Sequence, residues 1–348
     1  MTSVNAVLQQ VQLLLDQRLQ LVLGRYTSFK QLQQHDRQLI DCARLLLPAD
    51  PASALPAWAM WLCSNNPQTV LNLSDTQDFV FPEAAWLLLN QLKLRLFPQL
   101  DAMQLMMPVA DSQLAPLNWQ LANSLQLTLN PFTHETGLSA AALWYLGGSA
   151  QLQLLPSLLA FKQQLATDAP LQLHIELAMY LLGQKSDETR LCEKLLASEQ
   201  LTPEQLMVLI VGAAEPVKAS MINLLARTEA NMALAMMAMG FSGQLKFVPL
   251  LAELAQQSSS KDVAISALDM LLGVMATDSL LAEPKALQRV LLQRHSSRQI
   301  CGEDMSEPQL AHVWRSGNQL QRQLVACYRC LAQANIPLLN THSLLGAV

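Results

Sequence analysis

The chain has 348 residues, 51% of them apolar and only 14% charged, with a formal net charge of −5. That length buries a sizeable core or builds one elongated array. The acidic balance argues against wholesale nucleic-acid binding, which needs a basic footprint, and the longest apolar runs, about ten residues, fall short of the roughly 18 of a spanning helix, so no membrane insertion is expected.

At the N-terminus, Val4, Val7, Leu8, Val11, Leu14 and Leu15 recur at helical spacing and predict an amphipathic helix with one buried stripe. Glutamine supplies much of the polar surface here, recurring from Gln9 to Gln38. Acid and glutamine stand where a signal peptide needs a basic head and an unbroken apolar centre, so a cytoplasmic location is expected. Prolines at 48, 51, 56, 67, 82, 98, 108, 116 and 131 cut the following stretch into short helices and loops. The same stretch holds Trp58, Trp61, Trp86 and Trp119. The segment TLNPFTHETG, 128–137, marks the best boundary, giving an irregular helical N-terminal region over 1–130 and a second region over 131–348.

Beyond that boundary an apolar run ends in glycine five times, at Gly147, Gly183, Gly212, Gly240 and Gly273. Each glycine reads as a helix stop, since glycine adopts left-handed backbone at little cost. GGSAQLQLLPSLLA from Gly147 and GFSGQLKFVPLLAE from Gly240 align without gaps, each with proline at the same distance from its first glycine. A near-regular period of roughly 30 residues, long enough for two short helices, is the mark of a stacked helical array. Helix starts fit these units. Thr202, Pro203 and Gln205 form a capping-box pattern, Ser306 to Gln309 repeats it, and the serines at 258–260 offer a cap before the helix that ends at Gly273.

Candidate chemistry is sparse. Met232, Met236 and Met239 share a helix face and carry soft-metal donors, but no cysteine or histidine lies near them in the chain, and their spacing reads as core packing. The segment 232–255 then reads as one helix, a stop at Gly240, and a second helix with Pro249 about a turn inside. Cys301, His312, Cys327 and Cys330 could be drawn as a zinc set. The last two, however, sit in a continuous helical pattern rather than on loops, and the six cysteines read as reduced packing residues. His174 falls within a helix and reads as structural. No nucleophile, phosphate-loop or metalloprotease motif occurs, so no catalytic residue, cofactor or metal is expected. Charge is uneven: Lys285, Arg289, Arg294, Arg298, Arg315, Arg322 and Arg329 face only Glu303, Asp304 and Glu307, a local +4 against −9 elsewhere.

The units around Gly147 and Gly240 resemble HEAT-like repeats. The C-terminal pattern of Gly317, Gln321 and Arg322, followed by Pro337, Leu338, Leu339 and Asn340, resembles a bacterial HEAT-like family often encoded beside type VI secretion spike and effector components. The resemblance covers about residues 138–345 and implies an all-α, right-handed α-α superhelix (a HEAT/ARM-like solenoid) ending in a C-terminal capping unit. It also implies a non-enzymatic adaptor role, with an effector or spike component as protein partner. The regular Asp and Arg positions of a HEAT unit are largely absent here. Trp314, Arg315, Arg322 and Arg329 combine an aromatic with arginines, the residue types enriched at binding hot spots, and are the candidate partner-binding residues. Gly317 is expected to interrupt the helix, leaving Arg322 and Arg329 as a pair. A self-assembling structural subunit and a HEAT-like nucleic-acid protein or enzyme are the alternatives.

Overall fold

The computed structural model describes residues 4–47, 55–66, 69–105, 114–133, 138–165, 170–283, 285 and 298–344. The described residues are mostly helical, with one short antiparallel hairpin as their only sheet. No single helix among them is long and apolar enough to cross a membrane. The chain divides into two compact units, residues 1–149 with 339–348, and residues 150–338.

The first unit contains α1 (Val4–Leu23), α2 (Phe29–Arg44), α3 (Ala57–Cys63), α4 (Pro82–Leu96), α5 (Ala102–Leu105), α6 (Leu114–Ser124) and α7 (Ala140–Gly148). Helix α1 buries Val7, Val11, Leu14 and Leu15, as their spacing predicts, and adds Arg18. The Arg18 Nε donates to Asp36 Oδ1 at 2.5 Å with both side chains 1% exposed, and its Nη2 donates to the Ser343 carbonyl at 3.2 Å. Ser28 and Gln31 close a reciprocal capping box on α2. Pro56 immediately precedes α3 and Pro82 opens α4, where a missing N–H costs nothing. Pro48, Pro51, Pro67 and Pro108 lie outside the described residues. Trp58, Trp86 and Trp119 are among the largest fully buried side chains. Lys93 is also fully buried; its Nζ donates to the Trp61 carbonyl at 2.8 Å, near the C-terminal end of α3, and sits 4.0 Å over the Trp61 ring. Burial brings its ammonium down to about 8.

This unit runs past the boundary read at 130. The Tyr145 hydroxyl in α7 donates to the Leu127 carbonyl and accepts from Leu129 N at 2.8 Å, and its ring packs 5.1 Å from that of Trp119. These bonds hold the loop after α6 and helix α7 together. A segment from the far end of the chain also joins this unit. Asn340 Nδ2 donates to Ser124 Oγ at 2.8 Å, and Leu344 N donates to Gln91 Oε1 at 2.6 Å.

The second unit contains α8 (Leu155–Gln164), α9 (Leu171–Leu181), α10 (Glu188–Ala197), α11 (Pro203–Gly212), α12 (Glu215–Leu225), α13 (Met232–Phe241), α14 (Val248–Leu254), α15 (Lys261–Leu272) and α16 (Val274–Ala282). The hairpin β1 (Gln299–Ile300) and β2 (Glu303–Asp304), then α17 (Glu307–Ser316) and α18 (Gln319–Ala332), complete it. Helices α11, α13 and α15 pack successively in one row, and α10 packs against α12 in another. Thr202 and Gln205 cap α11 reciprocally, and Ser306 caps α17 through Gln309 N. Ser260 stands at the N-cap of α15, but its hydroxyl instead donates to the Leu254 carbonyl at 2.7 Å, so the expected serine cap does not form.

The five glycines serve two purposes. Gly183 and Gly273 take the left-handed backbone expected of stops, with φ of 84° and 82°. Gly147, Gly212 and Gly240 lie within helices. A Cβ on Gly240 would stand 2.8 Å from the Ala267 Cα, so this glycine lets α13 approach α15 closely. The chain turns three residues later, at Gly243 with φ 72°, and the aligned Ala150 adopts the same conformation at φ 55°. A short 3-10 turn follows each, and Pro156 and Pro249 then open their helices, so Pro249 lies nearer its helix start than expected.

Helix α18 crosses the row. Gln321 Nε2 donates to the Asp269 carbonyl of α15 at 3.0 Å, the Tyr328 hydroxyl donates to the Phe241 carbonyl of α13 at 3.3 Å, and the helix packs on α11. It therefore covers part of the row rather than extending its end, as a terminal cap would. The hairpin answers the open carbonyls at the end of α15: Cys301 N and Gly302 N donate to Met270 and Leu271, each at 2.9 Å.

Candidate functional site

The four residues nominated from sequence sit at the corner between α17 and α18. Gly317 closes α17, its N–H donating to the Val313 carbonyl at 2.8 Å, and Asn318 caps α18 reciprocally with Gln321. Arg322 turns inward and is 2% exposed. Its Nε donates to the Trp314 carbonyl at 3.1 Å, its Nη1 donates to Gln319 Oε1 at 3.3 Å, and its guanidinium lies 4.6 Å from the Trp314 ring centroid. Arg329 donates to Glu307 Oε1 at 2.6 Å and lies 6.0 Å from the same ring. Trp314, Arg322 and Arg329 therefore form one stacked tie between two helices, while Arg315 remains exposed. Of the wider basic group, Arg298 donates to Glu215 Oε1 at 2.6 Å, Lys285 is exposed, and Arg289 and Arg294 lie outside the described residues.

A different feature offers open volume. Beside Leu320 of α18, the row α11–α13–α15 leaves a cleft of about 210 Å³. Its walls are Met207 of α11, Met237 and Phe241 of α13, and Val263 and Met270 of α15. Glu204, Asp262, Ser266 and Gln323 also line it. Glu204 and Asp262 are each the second residue of their helix and are exposed; neither forms an ion pair among the described residues. Met237 and Phe241 lie four residues apart on one side of α13, and Met270 lies under Gly240, where the missing side chain leaves it room.

The methionines singled out from sequence lie elsewhere. Met236 and Met239 are buried between helices and Met232 is half-buried, while Met237, between them in the chain, faces the cleft. The chain does carry a signal for the cleft: Met237 and Met270 each stand three residues before the glycine that ends their run, the same register in successive units.

Several other titratable groups lie in the interior. Lys218 is fully buried and donates to Glu215 Oε1 at 3.2 Å; burial, then the neighbouring Arg298 charge, holds its ammonium below the usual range. Burial brings the Cys330 thiol up to about 12 and raises Cys327 well above its ordinary value, with the neighbouring Cys330 adding to the rise. Both therefore remain thiols at neutral pH, which disfavours nucleophilic or metal-binding use. His174 is pushed down by burial, opposed by its hydrogen bond with Gln200. Among the described residues no three His, Cys, Asp or Glu side chains converge on a point that could hold a metal ion.

No family model, curated protein or solved structure matches this chain.

Proposed function

We propose that this protein is a non-enzymatic scaffold that holds a partner protein through the cleft between α11, α13, α15 and α18. The observation that carries this reading is the cleft itself, mainly apolar in its exposed lining and with three methionines among its walls. Methionine adapts its shape to different apolar partners and recurs at permissive binding surfaces. Its volume, about 210 Å³, lies below the roughly 300–1,000 Å³ of small-molecule and cofactor pockets, which favours a protein side chain as occupant.

The wider architecture is read as a HEAT-like α-α superhelix. Alternate helices packing in rows support it, as does the repeated sequence of helix, left-handed turn, 3-10 turn and proline-initiated helix. The C-terminal resemblance, now traced to Gly317, Gln321 and Arg322 at the α17–α18 corner, supports a cytoplasmic adaptor in type VI secretion that handles an effector or spike component.

The test is affinity purification from native cells with the natural chain and with Ser266→Trp, which fills the cleft from its α15 side. Secretion components recovered with the first and lost with the second are the expected result. Equal recovery with both removes the cleft from the reading, and recovery of no secretion component with the natural chain removes the adaptor role.

A further inference from the structure

The cleft is smaller than the usual small-molecule pocket and large enough for one big side chain. Its volume of about 210 Å³ exceeds the roughly 150 Å³ of an apolar protein cavity that takes up benzene. An aromatic or long aliphatic side chain therefore fits it. Met207, Met237 and Met270 give it three flexible walls, and Phe241 gives it a ring for edge or stacked contact.

Its mouth has a definite sign. The charged residues lining it are Glu204 and Asp262, with no lysine or arginine among the lining residues. Each acid occupies the first turn of its helix, where it offsets the positive end of the helix dipole. Both helix starts at this mouth therefore carry a carboxylate in the first turn, and an anionic ligand gains little there. A cation beside an apolar anchor would meet two carboxylates that form no ion pair among the described residues.

We infer that the cleft receives a basic-apolar segment of a partner protein, one bulky apolar side chain flanked by lysine or arginine. The inference rests on the cleft reading above and adds the charge of the partner. Electrostatic complementarity of this kind steers encounter and rejects wrong partners more than it adds affinity. The preference for basic flanks is accordingly modest and falls with salt.

The test uses the full chain with methyl-13C methionine and three acetylated, amidated pentapeptides. The first is Ser-Lys-Phe-Lys-Ser; the others carry glutamine or glutamate in place of both lysines. The lysine peptide should move the methyl signals of Met207, Met237 and Met270, leave exposed Met60 and Met275 unmoved, and bind about fivefold tighter than the glutamine peptide. The glutamate peptide should bind most weakly. Glu204→Gln with Asp262→Asn should erase that order, and Glu204→Lys with Asp262→Lys should invert it. Equal binding of all three peptides overturns the charge preference and leaves the apolar cleft as a docking site. Failure of every peptide to move the three cleft methyls overturns both readings. Cleft signals that change with protein concentration alone assign the cleft to a second copy of the chain and overturn the inference.

Discussion

Glycine in the second unit shows how one residue type serves two physical needs. At Gly183 the backbone is left-handed, and Gly183 N and Gln184 N donate back to the Tyr180 and Met179 carbonyls at 3.0 and 2.9 Å, closing the end of α9. At Gly240 the backbone is ordinary helix and the need is space, since Ala267 of α15 stands where a Cβ would go. Gly240→Ala should cost about 1–2 kcal/mol, because overpacking against backbone outweighs the helix propensity gained. Gly183→Ala should cost about 1 kcal/mol through backbone strain, to which the Ala334 Cβ, 3.1 Å from the added carbon, contributes crowding. Urea denaturation checks both losses, and a Gly240→Ala chain as stable as the natural one would exclude the close approach of α13 to α15. Sequence identifies both glycines by the apolar run before them. It cannot separate their roles, because the Gly240 contact comes from α15, with α14 lying between them in the chain.

Among the elements, the α17–α18 corner gives the glycine–glutamine–arginine pattern a structural meaning. Gln321 Oε1 accepts from Asn318 N at 2.9 Å to start α18, while its Nε2 donates to the Asp269 carbonyl of α15. Arg322 then holds the end of α17 through the Trp314 carbonyl. One glutamine thus ends a turn, starts a helix and fastens that helix across the row. Gln321→Ala should destabilise the chain by about 2 kcal/mol, the cost of a lost cap together with a lost buried hydrogen bond. Gln321→Glu should be worse, although it keeps the cap acceptor, because it turns a carboxylate oxygen toward the Asp269 carbonyl. Thermal unfolding of the two variants checks the order, and an equally stable Gln321→Glu would exclude the bond to α15. The spacing of the pattern is legible in the sequence, and so is the break at Gly317. The inward turn of Arg322 is not, since an arginine seven residues from its neighbours looks the same whether it faces solvent or the ring of Trp314. The cleft is legible only in part for a related reason: the register of Met237 and Met270 marks two of its walls, but the walls come from four helices and become adjacent only when the row is packed.

For the whole molecule, the order of the chain and the order of its units differ. Residues 150–338 form one unit, and the chain then rejoins the unit built from Met1–Ser149. Arg18, Gln91 and Ser124 receive the returning segment at Ser343, Leu344 and Asn340. Ending the chain after Leu338 should leave the second unit's stability unchanged and lower that of the first by about 2–4 kcal/mol, through the loss of buried Leu344 and the bonds to Gln91 and Arg18. Hydrogen exchange resolved by segment checks this: protection should fall in α1, α4 and α6 and persist in α11, α13 and α15. The mostly helical character, the first buried stripe and the helix starts at Thr202 and Ser306 follow from local pattern. The return of the chain does not, because LNTHSLL is too short to show a periodicity and its partners lie far back in the chain, on α1, α4 and α6. The same connectivity sets a timetable for synthesis. Most residues of the first unit leave the ribosome first, yet that unit lacks some of its contacts until the segment from Leu339 to Leu344 has been made. The second unit has all its residues before then. A ribosome that stalls between the two therefore holds a chain whose middle is complete and whose beginning is still waiting for its closing piece.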